Sequence, residues 1–145
     1  MLRLFSLLLL TATLASTTLA QSKPDAILGE WLSPKKDSRL LIYQQAGKYF
    51  GKITWGTGGP AKDEKNPNPA LRNRDLIGLV ILNDFQHDGE QTWEGGTIYD
   101  PRDGKTYSCK MTLKDASNLS IRGYVGVSLF GRSEVWTKVK GASNQ

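Results

Sequence analysis

Residues 107–114, Tyr-Ser-Cys-Lys-Met-Thr-Leu-Lys, alternate apolar and polar side chains without a fault. A period of two belongs to a strand with one buried face, here carrying Tyr107, Cys109, Met111 and Leu113. Comparable segments recur along the chain at 27–33, 39–45, 48–55, 76–82, 91–99, 118–124 and 133–139. Turn-forming clusters separate most of them: Pro34 to Ser38, Ala46-Gly47, His87-Asp88-Gly89, Asp100 to Gly104 and Asp115 to Ser117. Strands joined by turns this short pair as antiparallel neighbours. The pattern predicts an all-β fold of about eight strands in a meander, closing into a small barrel that removes its exposed edges. A flattened sandwich would show the same pattern. At eight strands a barrel interior holds either packed side chains or one small ligand.

The rhythm fails at one place. Residues 56–75 have no strand pattern and contain three prolines. Connections of that length inside a compact domain are uncommon and often functional. Asn68 followed by Pro69 predicts a helix start, a capping side chain before proline at the first helical position, with one or two turns over 70–74. Gly95-Gly96, inside the fifth segment, predicts a bulge or sharp bend.

The first twenty residues read as an export leader. Arg3 gives the positive start, Leu4 to Leu14 the apolar run, and Thr18-Leu19-Ala20 the small residues before cleavage. The apolar run is far short of the ~20 residues a helix needs to cross a bilayer. The expectation is a cleaved signal peptide at 1–20 and one domain over 21–145, periplasmic or secreted, with no transmembrane segment. Cys109, the one cysteine, has no partner in the chain. Folding in an oxidising compartment then proceeds without disulfides. The net charge of +5 is scattered, with Lys35-Lys36 the adjacent basic pair, and lacks the basic stripe of a nucleic-acid binder.

Catalytic arrangements fail for want of parts. His87, the one histidine, sits in a turn signal; clustered metal ligands and a phosphate loop are absent, so neither a metal site nor a cofactor is expected. Glu30 and Glu94 each neighbour a tryptophan, which leaves a carboxylate-pair hydrolase as one reading. Aromatic rings on apolar strand faces either fill a core or line a pocket. For the pocket the candidates are Trp31, Trp55, Trp93, Tyr99 and Tyr107. In the insert, Asn66, Arg72 and Arg74 are candidates for a polar or anionic ligand end, since arginine binds carboxylate or phosphate bidentately.

Several motifs together resemble a known family. They are Gly29-x-Trp31; Lys65-Asn66-Pro67-Asn68-Pro69-Ala70-Leu71-Arg72-x-Arg74; Trp93-x-Gly95-Gly96-x-Ile98-Tyr99-Asp100-Pro101; Gly104-Lys105-Thr106-Tyr107; and Arg122-Gly123-Tyr124 with Leu129-Phe130-Gly131-Arg132 and Trp136. The resemblance is to the bacterial exported family named domain of unknown function 2147. It implies a lipocalin-like, calycin-type barrel in the bacterial envelope, without an established activity. By analogy with lipocalins it also implies that Trp31 packs at the barrel base beside a late-strand arginine, Arg122 or Arg132. Asn68 stands where an acidic residue is expected in many relatives, which argues against metal binding by the loop.

Three functions remain open at this level. The first is a small apolar or amphipathic ligand in the barrel, gated by the 56–75 segment. The second is an envelope protein docked through that segment, with a filled barrel. The third is hydrolysis by Glu30 or Glu94. Oligomeric state is left open.

Overall fold

The structure, a computed structural model, describes residues 23–127 and 131–141. The expected leader at 1–20, and Leu129 and Phe130 of the family motifs, lie outside the described residues. Eight antiparallel strands form a closed barrel in sequence order: β1 (Gly29–Leu32), β2 (Ser38–Gln45), β3 (Lys48–Gly56), β4 (Val80–His87), β5 (Thr92–Asp100), β6 (Lys105–Asp115), β7 (Asn118–Tyr124) and β8 (Gly131–Lys138). The ring closes through β1 and β8, where Trp31 faces Lys138 and Leu32 faces Thr137. Closure rather than a sandwich satisfies the backbone groups of what would otherwise be two edge strands.

The two ends of the barrel differ. At one end a 3-10 turn, Pro24–Ile27, lies across the opening and buries Ile27 completely. The Trp31 indole N–H donates to the Ile27 carbonyl at 2.8 Å, and the Trp93 indole N–H to the Pro24 carbonyl at 3.1 Å. The Tyr49 hydroxyl donates to Asp25 Oδ1 at 2.9 Å. Below this plug Trp31, Trp93, Phe85, Leu82, Met111 and Leu119 are fully buried and form a packed core. The other end, bordered by the turns after β1 and β5, by Val125 and by the 57–79 connection, is open among the described residues.

Irregular pairings decide which residues face inward. The expected bulge in β5 is present: pairing with β6 shifts between Trp93 and Gly96, and Gly95 has φ +76°. A Cβ on Gly96 would lie 2.5 Å from the Phe85 ring, so glycine here makes room for an aromatic core residue. The fourth strand was expected at 76–82 and runs instead over Val80–His87. Its register slips on both sides of Leu82, and Ile81, Leu82 and Phe85 are all buried. These two slips hide the period of two that would have marked it in the sequence.

Candidate functional site

The open half of the barrel encloses a cavity of about 950 Å³. Leu40 and Ile53 face each other across β2 and β3 and line it, as do Ile81, Ile98, Ile121 and Trp136. The walls are thus aliphatic, and the floor is the upper surface of the packed core. Nearer the mouth the lining turns polar. Tyr107 stands opposite Ile98, and Glu134 stands opposite Ile121. Directly paired residues of an antiparallel ladder share a face, so both point into the lumen. Arg102 reaches Glu134 from the β5–β6 turn and Arg132 reaches it from one pleat above on β8, each at 3.6 Å. Arg102 is itself held by Asp100, with Nε and Nη2 each 2.9 Å from a carboxylate oxygen. That bond, first, and Asp100's charge push the guanidinium further above its ordinary range despite burial. Tyr107 donates a short hydrogen bond to Asp103. This contact lowers the Asp103 carboxyl and raises the Tyr107 hydroxyl.

Of the eight side chains expected from sequence to meet a ligand, Tyr99 and Tyr107 line the cavity. Trp31 and Trp93 are inward but lie in the plugged half, fully buried with their N–H groups committed to the 3-10 turn. Trp55 is turned outward. The register of β2 and β3 shifts so that Arg39 faces Trp55 while Leu40 faces Ile53. That extra residue reverses the phase, and Arg39 lies over the Trp55 ring on the outer surface at 5.3 Å.

Asn66, Arg72 and Arg74 do not line the cavity; they hold the insert to the barrel. Asp63 is wholly buried. It accepts from the Tyr99 hydroxyl at 2.5 Å, from Asn66 Nδ2 at 2.8 Å, and from Arg74 Nε and Nη2 at 2.9 and 2.8 Å. Burial alone would raise this carboxyl. The bonds from Tyr99, Asn66 and Arg74, with Arg74's charge, hold it below its ordinary range. Arg72 Nε donates to the Asn66 carbonyl at 2.8 Å. The helix start at Asn68 is present, with its side chain accepting from Ala70 N, but it yields a single 3-10 turn, Pro69–Leu71. Gly104 seats the insert against the β5–β6 turn: its φ is +71°, and a Cβ there would lie 1.9 Å from the Lys65 carbonyl oxygen. The parts of the connection that reach the mouth are Gly56 to Ala61 and Leu76-Ile77.

The expected arginine beside Trp31 is a lysine. Lys138 Nζ sits 4.6 Å from the Trp31 ring and donates to the Leu28 carbonyl. Closure of the barrel puts the end of β8, rather than Arg122 or Arg132, against β1. Glu30 and Glu94 do not form a pair. Glu30 accepts from Thr54 Oγ1 and neighbours Arg39 on the outer face, while Glu94 is exposed on β5, across the barrel from β1. His87, expected in a turn, is the last residue of β4, bonded to the Glu90 carbonyl and packed on Trp93.

The sequence pattern of a family described as an uncharacterized protein conserved in bacteria, DUF2147, matches residues 29–138, from the start of β1 to the end of β8. The chain belongs to the DUF2147 family. Among solved structures it is similar to HP1028 from the human pathogen Helicobacter pylori, a protein described as belonging to the lipocalin family. The identity is 26%, with 79% of this chain and 83% of that one covered and a TM-score of 0.71. No curated protein matches it closely. This DUF2147 chain therefore has a lipocalin-like fold, an architecture suited to holding a small ligand.

Glu134, Arg102 and the aliphatic walls were not singled out by sequence reasoning. Glu134 was findable, since it shares a face with Trp136 two residues on. Asp63 was not, because nothing in an irregular segment shows that a lone aspartate will be buried.

Proposed function

We propose that this protein is an exported bacterial binding protein that holds one small apolar or amphipathic molecule in the open half of its barrel. The observation that carries the reading is the cavity itself, about 950 Å³ with aliphatic walls and a mouth open to solvent. That volume lies in the range of small-molecule sites, and apolar surface buried there contributes roughly 25 cal/mol per Å² to binding. The polar collar at the mouth suits a ligand with one polar end. Export rests on the leader-like first twenty residues, and fractionation of the native host places the mature chain in the periplasm on this reading.

Native mass spectrometry of protein purified from that compartment tests the binding reading directly, with octanol as a defined probe for the emptied barrel. Substituting Ile98→Trp puts a large ring into the lumen and is expected to weaken octanol uptake while leaving the fold intact. An isolated chain that carries no adduct and takes up no octanol refutes the reading. Docking through the insert has one observation in its favour, the exposed Ile77 and Leu71. Arg72 and Arg74 of that segment are bonded to the Asn66 carbonyl and to Asp63.

A further inference from the structure

Resting on that reading, we infer that the ligand is peptide-like: an N-acyl amide whose chain lies on the aliphatic walls and whose amide pairs with a free stretch of the β8 edge. β1 has four residues and β8 has eight. They meet low in the wall, Trp31 with Lys138 and Leu32 with Thr137. Continued upward, that register would set Pro34 opposite Val135. Proline has no N–H to give. The chain turns away to β2 instead, with Ser33 N donating to the Ser38 carbonyl. A slot is left in the wall between the 33–38 turn and the upper part of β8. Ser33, Pro34 and Lys35 line the cavity on one side of this slot, and Ser133 and Val135 line it on the other. The apolar cavity is therefore continuous with the strand edge.

Hydrogen bonds fix which way the β8 backbone points. In an antiparallel sheet the N–H and C=O of one residue face one neighbouring strand, and those of the next residue face the other. Lys138 N donates to the Ser117 carbonyl, toward β7, and Val139 N donates to the Glu30 carbonyl, toward β1. Counting back by twos, Trp136, Glu134 and Arg132 serve β7, while Val135 and Ser133 turn their N–H and C=O to the slot. Neither has a backbone partner on that side among the described residues. The two donor–acceptor sets stand two residues apart, about 6.6 Å at ~3.3 Å per residue, the repeat of an extended peptide. A secondary amide carries one donor and one acceptor and meets such an edge as an added strand does. The collar charges take no part, since Glu134 is ion-paired with Arg102 and Arg132 and Arg102 is bonded to Asp100. Each neutral hydrogen bond made in exchange for water is worth about two- to ten-fold in affinity.

The experiment is isothermal titration of the mature chain with N-octanoyl-alanine methylamide, with the same compound methylated on both amide nitrogens, and with octanol. Methylation removes the donors and keeps the acyl chain. The unmethylated amide is expected to bind at least about ten-fold more tightly than its methylated form, the scale of two neutral hydrogen bonds. Val135→Pro removes the N–H on the slot side, where no ladder bond to β7 is lost, and its side chain is 45% exposed. In that variant the gap is expected to narrow to within about three-fold. Equal binding of the two amides to the wild-type chain overturns the inference and leaves the cavity reading intact, as does octanol binding without either amide. A wild-type gap that persists undiminished in folded Val135→Pro places the amide elsewhere and also overturns it. Failure of all three probes, octanol included, overturns both readings. Thermal unfolding checks the fold of the variant, and if it is unfolded the wild-type comparison alone decides.

Discussion

Replacing Asp63 by alanine removes the one buried acceptor on which Tyr99, Asn66 and Arg74 converge. Three donors then lose their partner, two of them inside the protein. Removing one member of a buried charged pair costs roughly 3–5 kcal/mol. Arg74 is about a third exposed and can be rehydrated, so the lower end applies, about 3 kcal/mol. For a domain of this size that corresponds to a fall in Tm of about 12 °C. Asp63→Asn keeps an acceptor for Tyr99 and loses the charge, and about half the effect is expected. The pH dependence has a definite sign. The folded carboxyl titrates below the ordinary 3.8, so its stabilisation is fully present above about pH 4 and is lost as pH falls through the depressed value. The gap between wild type and Asp63→Ala, followed by circular dichroism, is therefore flat from pH 5 to 8 and closes in stronger acid. A gap under about 1 kcal/mol at neutral pH would show that Asp63 does not fasten the insert.

Other outcomes follow from single contacts. Gly104→Ala combines a positive φ with a 1.9 Å clash on the Lys65 carbonyl, and a loss of at least ~2 kcal/mol is expected in urea unfolding. Lys138→Met removes both the Leu28 bond and the cation over Trp31, for about 1–2 kcal/mol by the same assay. Burial pushes the Cys109 thiol up to about 12, so alkylation at pH 8 should track global unfolding in hydrogen-exchange or denaturant series, and fast labelling of the native chain would contradict that placement. Burial, then the bond to Asp25, raises Tyr49 from 10.0 to about 12. Its contribution is complete below pH 10 and declines as pH climbs through the raised value, a loss that spectroscopic titration in Tyr49→Phe should lack.

The legible part of the fold was whatever obeyed a period of two. Residues 105–115 and 118–124 lie where alternation places them, and Gly95-Gly96 marks a real bulge. Strand β4 was misplaced because two register slips break its alternation. Trp55 was assigned to the wrong face because a single extra residue in β3 reverses every side chain beyond it. The insert was recognised as exceptional, but its arginines were read as free to bind. Their partners, Asp63 and the Asn66 carbonyl, become partners only when the segment folds back on itself and onto Tyr99.

The linear order of residues was enough to indicate strand number and neighbour pairing, because short turns and alternating burial are local properties; closure into a barrel rather than a sandwich is shown by the pairing of β1 with β8. The linear order could not say which half of the barrel is solid. That depends on a 3-10 turn crossing one end, on two indole N–H groups that secure it, and on an aliphatic set from five strands that, with Trp136, lines a cavity among the described residues. Packing of this kind involves residues far apart in the chain, and their distances are fixed only when the ring closes.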